Sequence, residues 1–293
     1  GQIRLYSVQE GKTLQLMHVT ETKEIPRALA AFHGRLLAGL GSTLSLFELG
    51  KKQLLKKSEN RNFDNFIVSI ETSGDRIYVG DAQESFHFCR YSWEENQIHV
   101  YADDTIPRYL TASVLVDYNT MAGGDKFGNL FVCRLPKDVS KQIEDDPTGG
   151  KVLDKQALRT GAPYKLEPEC AFHLGDTVTS IKRTTMQPGG REILVYVTIL
   201  GEIGALVPLT SREDVDFFSL LEMHLRQENP PLCGRDHLAF RSAYTPVRNV
   251  IDGSLCEQYS QLASNLQRKI AGELDRTPGE VMKKLEDMRN KVM

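Results

Sequence analysis

Up to about Leu209 the apolar residues mostly alternate with polar ones, the period of half-buried strands; beyond it they recur every three or four residues, the period of helices. Two alternating runs at 3–8 and 14–19, separated by Glu10-Gly11-Lys12, predict a strand pair joined by a turn. A repeat follows. Residues 35–39, 76–80, 119–123 and 193–197 each lead through a turn into a second strand, at 43–49, 85–91, 129–135 and 203–209. The first three units recur at roughly forty residues, the spacing of four-stranded propeller blades. The fourth is delayed by an insertion at 136–166, where Glu144-Asp145-Asp146-Pro147-Thr148-Gly149-Gly150 is acidic and turn-rich, and which reads as a mobile loop hanging from the third blade. The pattern predicts a mainly β fold: a partial WD-type β-propeller of about four and a half blades over 1–209, then a small α-helical domain over 210–293.

In the helical part, Ser211 is placed to cap a helix whose first turn carries Glu213 and Asp214, and Phe217, Phe218, Leu221 and Leu225 share one face. Pro230 and Pro231 stop it. Asp252 is placed to cap the next helix, Leu255, Tyr259 and Leu262 make a short apolar stripe, and Leu266, Ile270 and Leu274 make another. Thr277-Pro278-Gly279-Glu280 combines a capping box with proline at the first helical position, and Val281, Leu285, Met288 and Val292 line the last helix. The stretch from Pro230 to Tyr259 is the joint between strands and helices.

Composition narrows the function. Lysine plus arginine (36) nearly balances aspartate plus glutamate (39), which argues against a global basic field for duplex nucleic acid. Cys89, Cys133, Cys170, Cys233 and Cys256 are scattered without a Cys-x-x-Cys, as expected of reduced thiols in a cytosolic or nuclear protein. No apolar run is long enough for a bilayer, and Gly1-Gln2-Ile3-Arg4 has no signal-peptide pattern. A start without methionine, directly in a strand pattern, suggests a fragment, and an incomplete ring of blades is expected to be completed by the remainder of its polypeptide or by a second fragment at the open edges.

No catalytic, cofactor or metal site is expected. Asp103-Asp104 and Asp145-Asp146 are adjacent pairs whose side chains diverge in a strand, Cys233, His237 and His224 lack a fourth ligand, and Gly123-Gly124-Asp125-Lys126-Phe127-Gly128-Asn129 lacks the Gly-Lys-Ser/Thr ending of a phosphate loop. That last segment reads as a blade hairpin, with two fates for Asp125-Lys126-Phe127: folded into its own blade, or offering apolar area and charge to a partner.

Phe240-Arg241-Ser242, Val250-Ile251-Asp252-Gly253 and the acidic-x-Tyr start at Glu257 resemble the C-terminal region of a family of large triple-propeller scaffolds, which serve splicing, damaged-DNA recognition and 3′-end processing of pre-mRNA. Pro231-Leu232-Cys233-Gly234-Arg235-Asp236-His237-Leu238 is most similar to the splicing branch, and Gly124-Asp125-Lys126-Phe127-Gly128-Asn129, Asp146-Pro147-Thr148-Gly149 and Leu274-Asp275-Arg276-Thr277-Pro278 add to it. The resemblance implies seven blades per ring and a nuclear, non-enzymatic scaffold of the splicing factor 3b complex in the U2 small nuclear ribonucleoprotein, supporting branch-site recognition. Its implied partners are a helical-repeat largest subunit and small zinc-containing and helical subunits, with contact to U2 and pre-mRNA mostly indirect. An adaptor of a cullin-type ubiquitin ligase, a DNA-lesion sensor and a 3′-end-processing scaffold are the alternatives.

Relatives use the corresponding propeller face to hold partners, which points to Phe66 and Val68 entering one blade and Arg108 and Tyr109 entering the next. Packing of Phe66 and Tyr109 between blades is the competing reading. In the joint, Arg235, Asp236 and Arg241, with Phe240, Asp252 and Gly253 around them, are expected to form a buried ionic network that orients the helices.

Overall fold

The computed structural model describes residues 1–8, 13–51, 53–146 and 161–292. The chain is mainly β and divides into two compact units, Gly1–Lys126 with Val132–Pro168, and Phe127–Phe131 with Glu169–Met293.

The first unit opens with an antiparallel pair, β1 (Gln2–Val8) and β2 (Leu14–Glu21). The turn expected at Glu10-Gly11-Lys12 lies outside the described residues. Next, β3 (Pro26–Phe32), β4 (Arg35–Leu40), β5 (Thr43–Leu49) and β6 (Leu54–Asn60) make a four-stranded antiparallel sheet in chain order. β7 (Ile67–Ser73), β8 (Arg76–Asp81), β9 (Ser85–Ser92) and β10 (Gln97–Asp104) repeat the arrangement. β11 (Leu110–Asp117), β12 (Thr120–Asp125), β13 (Asn129–Arg134) and β14 (Tyr164–His173) come next, and β14 runs parallel to β10 through Ala102↔Tyr164, Asp103↔Lys165 and Asp104↔Leu166, which joins eight strands in one sheet. Sheets of consecutive antiparallel strands set side by side are propeller-like.

The repeated glycine has a steric reason. A Cβ on Gly39 would lie 2.6 Å from Ile67 Cγ2, and one on Gly80 would lie 2.2 Å from Ser69 Oγ and 3.0 Å from Leu110 Cδ1. Ile67 and Leu110 each begin the first strand of the following four-strand repeat, so the glycine stands where consecutive repeats touch. Around that contact Phe32, Leu37, Leu46, Ile67, Ile77 and Val79 form one buried cluster, each side chain contributing on the order of 1.5–3 kcal/mol by leaving water.

The insertion differs from the mobile loop expected over 136–166. Its first part is a helix, α1 (Lys137–Asp145), and its last residues belong to β14; residues 147–160 lie outside the described ones. Two arginines of the second sheet explain the helix. Arg76, only 2% exposed, donates to Ser140 Oγ at 2.8 Å and Glu144 Oε1 at 3.1 Å, and Arg90 donates to the Ile143 carbonyl at 2.7 Å. A helix this short is marginal in water, so tertiary contacts hold it.

In the second unit β15 (Val178–Thr185), β16 (Glu192–Thr198) and β17 (Ile203–Leu206) form a three-stranded antiparallel sheet. Five α-helices follow among the described residues: α2 (Arg212–Glu228), α3 (His237–Arg241), α4 (Gly253–Glu257), α5 (Ser264–Glu273) and α6 (Pro278–Val292). Phe218, Leu221 and Leu225 of α2 meet Leu255, Tyr259, Ile270, Val281 and Leu285 in one buried cluster, the stripes that the helical periodicity marks. Ser211 stands at the N-cap of α2 without a side-chain hydrogen bond, whereas Thr277 and Glu280 form the expected reciprocal box at α6: the Thr277 N–H donates to Glu280 Oε2 at 2.7 Å and the Glu280 N–H to Thr277 Oγ1 at 3.4 Å.

Candidate functional site

The predicted partner-binding residues of the first unit lie along a line of backbone contacts at the sheet ends. The Phe66 carbonyl accepts from the Ala82 N–H at 2.8 Å, Glu84 forms a parallel bridge with Arg108, and the Lys126 N–H donates to the Tyr109 carbonyl at 3.0 Å. Phe66 (48% exposed) and Tyr109 (37%) thus flank the β8–β9 turn. Each ring carries a cation. The Arg27 guanidinium lies 4.6 Å from the Phe66 centroid, and Lys126 Nζ lies 3.6 Å from that of Tyr109. Tyr109 and Phe66 therefore keep substantial exposed area besides their packing.

The side chains of the other four candidates are placed differently. Val68 is half-buried in β7, and Asp125 is buried at the end of β12. Arg108 is 6% exposed and is held by Asp104, with Cys133 Sγ 3.5 Å away, so its side chain belongs to the interior of this unit and not to its open face. Phe127, in the second unit, is 42% exposed with its ring 5.4 Å from that of Tyr244.

Acidic side chains stand at the turn that Phe66 and Tyr109 flank. Asp81, fully buried, accepts from the N–H groups of Asn65 (3.0 Å), Gln83 (2.9 Å) and Glu84 (3.1 Å), which fixes the turn. Burial, with repulsion from Asp64, Asp81 and Asp103, holds the Glu84 carboxyl above its usual range. The alternation pattern marks these as turn residues and gives no sign that they converge.

The joint lies within the second unit, and its charges pair differently from the expectation. Arg241 Nε donates to Asp252 Oδ2 at 2.7 Å, its Nη1 donates to the carbonyls of His173 (3.1 Å) and Leu174 (3.3 Å), and its guanidinium lies 4.6 Å from the Phe172 centroid. Asp252, 4% exposed, also caps α4 by accepting from the Leu255 N–H at 3.1 Å. Asp236 is instead an exposed cap of α3, accepting from Leu238 and Ala239, and Arg235 is exposed, its backbone paired with Leu232. The expected three-member network is thus an Arg241–Asp252 pair, because the cap of α4 brings the nearer buried carboxylate. Phe240 packs 5.3 Å from the His173 ring, and a Cβ on Gly175 (φ +95°) would meet Phe240 Cζ at 2.7 Å. Gly253 begins α4.

Among the described residues no three His, Cys, Asp or Glu side chains are grouped to hold a metal ion. His224 pairs with Glu273 at 2.9 Å, His237 Nε2 lies 2.9 Å from the Pro230 carbonyl, and Cys233 is exposed. Asp103 is held by Lys165 at 2.6 Å. No helix of the described residues is long and apolar enough to cross a membrane.

Serial antiparallel sheets followed by a helical segment define a mainly β, propeller-like protein. The chain belongs to the family of the CPSF A subunit region, whose model matches residues 1–261. It is similar to Spliceosome-associated protein 130 A of Arabidopsis thaliana, 58% identical over 294 residues that cover 100% of this chain and 24% of the relative. It is likewise similar to Splicing factor 3B subunit 3 of Drosophila melanogaster (51% over 292 residues, 99% of this chain and 24% of the relative) and to Probable splicing factor 3B subunit 3 of Dictyostelium discoideum (52% over 283 residues, 97% and 22%). The chain spans less than a quarter of the length of these curated relatives.

Proposed function

We propose that this chain is the C-terminal part of a non-enzymatic scaffold subunit of the splicing factor 3b complex, nuclear and within the U2 small nuclear ribonucleoprotein. Residues 1–209 contribute the last blades, about four and a half, of a seven-bladed third propeller, and residues 210–293 form a helical domain tied to it through Arg241 and Asp252. The face around Phe66, Tyr109 and Lys126 holds protein partners, the helical-repeat largest subunit first among them, with small zinc-containing and helical subunits beside it. Contact with U2 and pre-mRNA is mostly indirect.

Similarity across nearly the whole chain to relatives named as splicing factor 3B subunit 3 and as a spliceosome-associated protein carries this reading. Purification of the full-length protein from nuclear extract, with mass spectrometry of its partners and sequencing of bound RNA, tests it. Recovery of the splicing subunits with U2 RNA is expected. Cullin or cleavage-factor subunits without U2 RNA would overturn it. Replacing Phe66 and Tyr109 together by alanine is expected to weaken partner retention about tenfold or more, as loss of aromatic anchors does.

A further inference from the structure

The charges on the face around Phe66 and Tyr109 are unevenly compensated. Five carboxylates gather at its turns: Asp64, Asp81, Glu84, Asp103 and Asp104. Lys165 neutralises Asp103 and Arg108 neutralises Asp104. Among the described residues neither Asp64, which is exposed, nor Glu84, which is half-buried, has an ion-pair partner. Asp81 is satisfied by three backbone N–H groups that leave its charge in place. Like charges left together in partly desolvated surroundings cost free energy, and a folded chain gains nothing from them by itself.

A second observation lies behind these acids. His87 stands opposite Asp103 in the β9–β10 register, with its ring edge-on to Phe63 at 5.3 Å. Only 8% of the residue is exposed, and its Nε2 has no hydrogen-bond partner. Asp64, Asp81, Asp103 and Asp104 all act on this imidazole, so it sits among the same carboxylates; burial nevertheless outweighs them and favours the neutral ring. A neutral ring protonated at Nδ1 presents Nε2 as an acceptor. Acids without cations and an imidazole nitrogen without a donor have one kind of ligand in common, a cationic hydrogen-bond donor.

We infer that the face between Phe66 and Tyr109 receives a lysine or arginine side chain of the partner protein, held by Glu84 and Asp64 with His87 behind them. This rests on the partner-face reading above and adds the chemistry of the partner to it. The half-exposed Phe66 ring offers apolar surface for the aliphatic stem of such a side chain. The order along the face is cation-capped Phe66, acids, cation-capped Tyr109, so a basic residue in a partner segment fits in the middle and an acidic one is repelled. For the same reason a phosphate backbone is excluded here.

The test uses the complex captured through the full-length protein. A water-soluble carbodiimide activates a carboxylate, which a lysine amine at ion-pair distance attacks to form an amide with net loss of water. Peptides containing Asp64 and Glu84 are then read by mass spectrometry. In parallel the charge-neutral variant Asp64→Asn with Glu84→Gln is compared with the parent for partner retention against salt. The expected results are an amide from Asp64 or Glu84 to a lysine of another subunit and a partner affinity lowered about tenfold in the variant, with a flatter salt dependence. An arginine guest gives the weakened, flatter retention without the amide. An unchanged salt profile, or amides only to lysines of this same chain with retention unaltered, overturns the inference. The exposed single variant Asp64→Asn guards against a folding defect, and the thermal midpoint of the double variant is expected to be no lower than the parent's. The identity of the captured subunits judges the splicing reading separately: a Glu84 link to a cleavage-factor lysine would end that reading and still support a cationic guest.

Discussion

Arg241, in the second unit, and Glu84, in the first, show two ways of treating charge. At the joint, one guanidinium meets one buried carboxylate, two carbonyls and an aromatic face. At the β8–β9 turn, carboxylates repel one another and an imidazole nitrogen is left without a partner. A paired charge works for the fold, whereas an unpaired one costs the fold stability that only an outside partner can return. The two can be told apart by the sign of a mutation's effect on stability.

The largest effect is expected at the joint. Arg241→Ala strands Asp252 in the interior and should cost about 3–5 kcal/mol, seen as a lower thermal midpoint and as faster proteolysis of the C-terminal helices. Unchanged resistance of those helices would break the contrast. Arg76→Met comes next, at about 1.5–3 kcal/mol, since several acceptors around α1 lose a charged donor. Hydrogen exchange across Lys137–Asp145 should accelerate while β8 stays protected. Thr277→Ala removes one side of the box at α6 and should cost about 1 kcal/mol, with fraying confined to the first turn of that helix in amide exchange.

The smallest effect has the opposite sign. Glu84→Gln removes repulsion, so at neutral pH the variant should melt slightly above the parent. A carboxyl whose value is raised by folding binds its proton more tightly in the folded chain, so the parent gains relative stability as pH falls toward 4.5 and the gap should close there. Melting curves from pH 4 to pH 7 check both the sign and the closure. A variant less stable than the parent at neutral pH would make Glu84 a structural residue like Arg241.

The repeat was legible because its cause is local. A buried strand centre is apolar, as Ile77-Tyr78-Val79 is, and a glycine must stand where Ile67 or Leu110 approaches, so 35–39 and 76–80 announce β4 and β8. The capping box at Thr277 and the cap at Asp252 are legible for the same reason. By contrast α1 owes its existence to Arg76 and Arg90, far away in the chain, and its own residues read as a loop. Arg108 looked available because nothing in Ile106-Pro107-Arg108-Tyr109 says that the chain bends it back onto Asp104. Likewise Asp64, Glu84 and His87 lie on different turns and strands, and only the folded chain brings their charges to act on one another.

The parallel pairing of β10 with β14 also sets an order of events. β10 is complete at Asp104, yet the residues that cover its free edge begin at Tyr164. At ordinary rates of synthesis that edge waits on the order of several seconds after it leaves the ribosome. During this interval its unpaired N–H and C=O groups are open to any other strand. A ribosome-bound chain halted before Tyr164 is therefore the form most prone to wrong pairing, and docking of α1 on Arg76 shortens the search that ends it.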